Sequence, residues 1–264
     1  VASSDFLRTS GFDLLAQKVD LQQSPKNRDT RLKCYPAACY ITVMPRSARA
    51  SRGGYIYHVY NRGYEGEDVF HEEDDYEAFV LGMMRANSQV PMKVLGYCLL
   101  PNHFHLLVWT RKDGDLSRWM QWVMTGHVRR YTRIYEAGSN IWQARFRSFP
   151  VQEDDHFLQA LRYVERNPLR AGVVDRSQDW EWSSLKASKR STPAGLLADG
   201  PLSKPRNWAS IVNRAEPQDE VARLRKSLVS GSPYGSDAWT RKTIRAMGNG
   251  TSRRSDGRPR KSKK

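Results

Sequence analysis

Two histidines stand one residue apart in "LLPNHFHLLVWT" (99–110), and a tyrosine and an asparagine stand four residues apart in "RYVERNP" (162–168). On a β-strand successive side chains alternate between faces, so His103 and His105 share one face while Phe104 takes the other. Two neutral imidazoles converging there are half of a divalent-metal site; a pair of hydrogen-bonded strand histidines is the plainer alternative. On a helix Tyr163 and Asn167 are neighbours one turn apart. A tyrosine hydroxyl beside a metal can act as a nucleophile toward phosphorus, the metal polarising the scissile phosphate, and the Asn167 amide oxygen can be a third ligand. A helix-surface tyrosine with its hydroxyl in water is the alternative.

The elements that must position these groups follow from periodicity. "GYIYHVYNRG" (54–63) alternates Ile56, His58 and Tyr60 with Tyr57 and Val59, as a strand does. In "HEEDDYEAFVLGMMRANSQ", Tyr76, Phe79, Val80 and Met83 recur at helical spacing behind acids that complement the helix dipole. "MKVLGYCLL" and "HFHLLVWT" meet at the turn pair Pro101-Asn102 and read as adjacent antiparallel strands. A second amphipathic helix carries Leu116, Trp119, Met120 and Val123, and a strand is expected over 141–152. The helix over 154–168 presents Phe157, Leu158, Leu161 and Val164 as its sheet-packing stripe, leaving Tyr163 on a separate flank with His156, Ala160 and Asn167. The order β-α-β-β-α-β-α is an α+β plan. It is a ferredoxin-like split β-α-β core, an antiparallel sheet with helices on one face and the other face free for chemistry. The tyrosine helix and a helical C-terminal extension follow.

A formal net charge of +15 favours a polyanionic partner, because such a surface gains affinity by releasing counterions from phosphates. Nucleic acid leads, and no apolar run approaches the length of a membrane span. Cys34, Cys39 and Cys98 form an odd set without C-x-x-C, which supports neither a disulfide framework nor a cysteine zinc site. Residues 1–43 are expected to be a poorly ordered extension from a mis-assigned start. Residues 44–190 are expected to form the main domain that carries these groups, 191–242 a linker and small helical appendage, and 243–264 a basic disordered tail. Arg145 and Arg147 alternate on one expected strand face and suit phosphates, with Trp142 and Phe146 in the core. Arg62, on the turn of "YNRG", is a further phosphate candidate, and Arg166 and Arg170 flank the end of the tyrosine helix. For His58 a structural or DNA-contacting role ranks above ligation. His156 reads as an N-terminal helix histidine, and Trp180 and Trp182 as wedges that hold a later segment on the domain.

The motifs "YHVYNRG", "PNHFHLLV", "WQARFRS", "YVERNPLRAGVV" and "WEWSSL" occur in that order between about Tyr55 and Leu185. Together they resemble the REP-associated tyrosine transposases, IS200-like members of the HUH single-tyrosine transposase superfamily. The resemblance implies that His103, His105 and Asn167 are metal ligands for Mg²⁺ or Mn²⁺. Zn²⁺ or Ni²⁺ also suits the imidazoles. It further implies that Tyr163 attacks a phosphodiester of single-stranded DNA, leaving a 5′-phosphotyrosine and a free 3′-hydroxyl that another strand can resolve. A short palindromic (REP-like) hairpin is the implied partner, the implied state a monomer or homodimer, and the implied location the bacterial cytoplasm beside the nucleoid. A domesticated, non-catalytic hairpin-binding protein is the alternative function, and a metallophosphoesterase using activated water is a third.

Overall fold

Acids crowd the start of each core helix, and the chain uses them there to satisfy free backbone N–H groups. The computed structural model describes residues 51–136, 138, 140–186 and 192–248; the expectations for 1–43 and for the tail beyond Gly248 lie outside them. Helix α1 spans Glu73–Gln89, and the Asp75 carboxylate accepts from the backbone N–H groups of His71 and Glu72. Helix α2 spans Asp115–Tyr135, with Asp115 accepting from the N–H of Lys112. Helix α3 spans Asp155–Glu165, capped by Asp154, which accepts from the N–H of His156. Four strands alternate with these helices: β1 (Ile56–Arg62), β2 (Lys93–Leu100), β3 (His103–Trp109) and β4 (Arg147–Val151). They form one sheet in the order β2-β3-β1-β4 with every neighbouring pair antiparallel, as the split β-α-β plan requires.

The sheet has two unlike faces, and both are covered. Tyr57, Val59, Tyr97, Leu99, Phe104, Leu106 and Val108 pack against α1 and α2. Ile56, Leu107, Phe149 and Val151 pack against Phe157, Leu161 and Tyr163 of α3. The second face is therefore not left free; the tyrosine helix lies on it. Its close approach depends on Gly96, because a Cβ there would stand 2.3 Å from the Leu161 side chain. A bulge between Val94 and Gly96 turns Leu95 toward the same layer.

The strand expected over 141–152 is shorter than its alternation suggests. Trp142 makes only an isolated bridge to Gly63, and the ladder with β1 begins at Arg147. Arg145 consequently lies in the bend before β4 and does not share a strand face with Arg147. Trp142 is buried in the core, and Phe146 packs against it half-buried. Beyond α3, Pro168 sits in the first turn of the four-residue helix α4 (Asn167–Arg170). Helices α5 (Trp208–Asn213), α6 (Gln218–Ser230) and α7 (Asp237–Met247) follow.

Later segments also close the sheet's edges, which would otherwise expose unpaired backbone groups. Leu99 donates to the Trp182 carbonyl and Ser184 to that of Tyr97, along the outside of β2. Tyr234 exchanges hydrogen bonds with Pro150 and Gln152 outside β4. Trp182 stacks on Tyr76 and the Trp180 indole donates to the Leu99 carbonyl, so this tryptophan pair wedges its segment onto the domain.

Candidate active site

Strand register sorts the α3 face into an apolar end and a polar end. His105 stands opposite Tyr60, and Tyr60 opposite Arg147; one step further along, His103 stands opposite Arg62. Side chains directly across an antiparallel ladder share a face, so these residues form one polar patch. His58, Leu107 and Phe149 make the next row inward, where the face becomes hydrophobic.

His103 and His105 present rings 5.3 Å apart, nearly perpendicular. His103 is held from behind. Its Nδ1 lies 2.6 Å from Asn102 Oδ1, and the Asn102 amide nitrogen donates to the Gly66 carbonyl, which fixes the amide oxygen toward the ring. An imidazole facing an oxygen must carry its proton on that nitrogen. Burial, opposed by the Asn167 contact and reinforced by Arg62 and Arg170, holds the His103 pKa down to about 4, so the ring is neutral near pH 7. Its Nε2 is then a bare lone pair, 3.4 Å from Asn167 Oδ1. The Asn102 contacts assign the His103 tautomer, and the Asn167 amide stands with its oxygen nearest the free ring nitrogen.

His105 is buried, and its Nδ1 lies 2.9 Å from Nε2 of His58, itself fully buried. Tyr60 stacks on the His105 ring at 4.8 Å. Burial first, then the charges of His58, His103 and Arg170, keep the His105 pKa well below its ordinary value; burial and Arg170 bring His58 down to about 3. His58 therefore plays a structural role, out of reach of a DNA ligand.

Tyr163 is buried against the sheet and not on the helix surface that its offset from the stripe suggests. Its ring lies 5.8 Å from that of His105 and 6.0 Å from that of His58. The apolar arc of α3 is wider than four residues imply, because the helix inserts where Gly96 leaves room. Over the other face of the tyrosine ring sits the Arg170 guanidinium, 3.9 Å from the centroid, donating also to the Tyr163 carbonyl.

The five arginines named from sequence fall in different settings. Arg62, Arg145 and Arg147 are exposed, Arg62 and Arg147 at the polar end of the histidine face. Arg166 and Arg170 meet Glu216 at 3.5 and 2.5 Å, and Arg166 also donates to the Val212 carbonyl. His156 is bound to its own cap, Asp154.

Two carboxylates escaped sequence reasoning. Glu165 is fully buried and accepts from the Ser184 hydroxyl, Lys204 and the Trp208 indole. Its signal was available: Glu165 falls four residues after Leu161 on the apolar stripe. Glu216, in "AEPQDE", carries no comparable signal, since only tertiary packing brings it to the two arginines.

Among the described residues no group of three or more His, Cys, Asp and Glu converges to hold a metal. The donor set here is instead two imidazoles and an amide oxygen. Donors sharing an octahedral cation at 2.0–2.1 Å stand about 3 Å apart, close to the His103–Asn167 separation, so these residues fit a divalent cation.

The fold and this constellation define a ferredoxin-like α+β domain in which a strand-borne histidine pair faces a helix-borne tyrosine. Residues 52–167 match the family model for IS200-like transposases. The REP-associated tyrosine transposase of Escherichia coli K12 is 24% identical over 140 residues, covering 52% of this chain and 74% of that protein. A Haemophilus influenzae relative of the same description is 27% identical over 105 residues, covering 36% of this chain and 60% of its own length. A solved structure of the REP-associated tyrosine transposase bound to a REP hairpin aligns with a TM-score of 0.45 at 19% identity, over 66% of this chain and 93% of that one. Among the described residues no helix is long and apolar enough to cross a membrane.

Proposed function

We propose that this chain is a divalent-metal-dependent enzyme that cleaves and rejoins single-stranded DNA at short palindromic, REP-like hairpins through Tyr163. The observation that carries the reading is the convergence of His103 and the Asn167 amide, 3.4 Å apart, in the layer that also holds His105 and Tyr163. A divalent cation would take the His103 lone pair and the Asn167 amide oxygen together as ligands. His103, His105 and Asn167 would hold Mg²⁺ or Mn²⁺, which when bound polarises a phosphate oxygen and offsets developing charge. The match to the IS200-like transposase model and the name of the curated relatives support single-stranded hairpin DNA as substrate.

In this reading the Tyr163 oxygen attacks phosphorus, the bond to the 3′ oxygen breaks, and the proton lost by the phenol is matched by one gained at the new 3′-hydroxyl. The 5′-phosphotyrosine keeps the energy of the broken bond, so rejoining to another 3′-hydroxyl needs no nucleotide cofactor. Arg170, stacked on the phenol ring, holds its orientation. Arg62 and Arg147 offer exposed cations beside the histidines for the flanking phosphates.

The test is incubation of the full chain with labelled hairpin DNA from the flanks of its gene, with Mn²⁺ or with EDTA, followed by denaturing electrophoresis. A metal-dependent covalent adduct that disappears in Tyr163→Phe is expected. Tight binding without any adduct would point to the non-catalytic hairpin-binding protein, and cleavage undiminished in Tyr163→Phe would point to hydrolysis by water.

A further inference from the structure

The outer side of the α1/α2 layer, across the sheet from Tyr163, carries a groove of about 900 Å³. Its lining includes Arg85 from α1 and Arg129, Arg130 and Arg133 from α2, and no acidic residue. Arg130 is engaged by Asp75, whereas Arg85, Arg129 and Arg133 are exposed and make no ion pair among the described residues. At the α2 N-terminal side of the same groove Trp122 is 56% exposed, an unusual place for so large an apolar surface. Along α2, Trp122, Arg129 and Arg133 span about 16 Å at 1.5 Å per residue, with the arginines one turn apart.

Two further features set this groove apart from an ordinary solvated helix face. Gly82 of α1 and Gly126 of α2 both line it, and a Cβ on either would meet nothing within 4 Å. Mid-helix glycine costs about 1 kcal/mol relative to alanine, and no neighbour among the described residues requires it at these two positions. Beneath them His127, buried and lining the same groove, has a ring Nε2 without a hydrogen-bond partner. The combination is a cationic channel with a stacking platform, open backbone and an unused polar atom.

We infer that this groove binds a single nucleic-acid strand, its phosphates on Arg85, Arg129 and Arg133 and an unpaired base stacked on Trp122. Charge complementarity selects the occupant: three unpaired guanidiniums without a carboxylate among them suit consecutive phosphates, and an exposed indole suits a base. Because α1 and α2 cover the opposite face from the histidines, this is a second contact surface, separate from the cleavage centre. The inference rests on nucleic acid being the partner but not on cleavage by Tyr163.

The experiment measures binding of a fluorescent unpaired oligothymidylate, and of a hairpin of equal length, to the full chain in EDTA over a series of salt concentrations. In Arg129→Ala/Arg133→Ala the slope of log K against log salt should shrink by about 1.4, at about 0.7 per phosphate lost. Trp122→Ala should weaken the oligothymidylate about tenfold and leave the slope unchanged. Unaltered affinity and slope in both variants would overturn the groove as a nucleic-acid site. Losses confined to the hairpin would overturn the single-strand assignment, and a change of oligomeric state by light scattering in Trp122→Ala would assign the face to a second copy of the chain. The adduct assay, run on the same protein variants with hairpin DNA and Mn²⁺, separates the two proposals. Adduct formation with unaltered affinities rejects the groove alone, and groove-dependent affinity without adduct rejects cleavage alone.

Discussion

The two faces of one sheet are built from the same four strands and do opposite work. Toward α1 and α2 the strands turn Tyr57, Val59, Tyr97, Leu99, Phe104, Leu106 and Val108, with Asn61 as a buried polar exception. Toward α3 the same strands turn His58, His103 and His105 beside Leu107, Phe149 and Val151. The first face is stabilised by removing apolar surface from water. The second buries rings and an amide that must find partners, and one ring atom, His58 Nδ1, has none among the described residues. The difference teaches that the helix-pair face supports the fold, while the tyrosine-helix face sacrifices stability to keep neutral nitrogens close to a phenol.

Substitution on the two faces sharpens that contrast. Phe104→Ala empties a fully buried position facing α1 and α2 and should lower unfolding free energy in urea by about 4 kcal/mol. A loss under about 1 kcal/mol would break the claim that this face carries the fold. Next in size, Glu165→Gln keeps the shape but removes the charge that joins Lys204, Ser184 and Trp208 to the tyrosine helix; about 2 kcal/mol should be lost in the same measurement. Unchanged stability there would mean that the later segments do not brace α3.

Acid should expose the polar face as the weaker one. Burial keeps His103 at about 4 and His58 at about 3, against an ordinary 6.5. Between those values the unfolded chain binds more protons than the folded one, so stability falls as pH drops through that window. We expect a loss on the order of 2 kcal/mol for each such histidine between pH 7 and pH 5, followed by denaturant melts, and a shallower slope in His58→Phe. His127, also held near 4 by burial but within the helix layer, adds to this slope independently. A flat profile would show that the imidazoles are not held neutral. The smallest effect belongs to Arg170→Lys, which keeps charge but loses the planar stack on Tyr163; about 1 kcal/mol of stability and part of the adduct yield should go. Full retention of both would remove the positioning role of the guanidinium.

Much of this organisation was legible in the sequence. Alternation about His58 and about His103 and His105 assigned faces correctly, because the pleat has a period of two whatever the partner strand. Acid-led amphipathic runs located α1, α2 and α3, since capping and periodicity are local. The expected strand over 141–152 failed in its first half because alternation of aromatic and basic residues also suits a bent segment whose aromatics reach the core from a loop.

The chain by itself determined which residues share a strand face, where the helices begin, and a formal net charge of +15. Only the tertiary structure decided that Tyr163 is buried beside His105, that His58 is the partner of that ring, and that Arg170 and Glu216 close over the tyrosine helix. The physical reason is range. Facing and capping are set by the two- and 3.6-residue periods of the backbone, whereas the Tyr163–His105, His58–His105 and Arg170–Glu216 contacts join residues 58, 47 and 46 apart. They depend on strand register and on how closely Gly96 lets α3 approach the sheet.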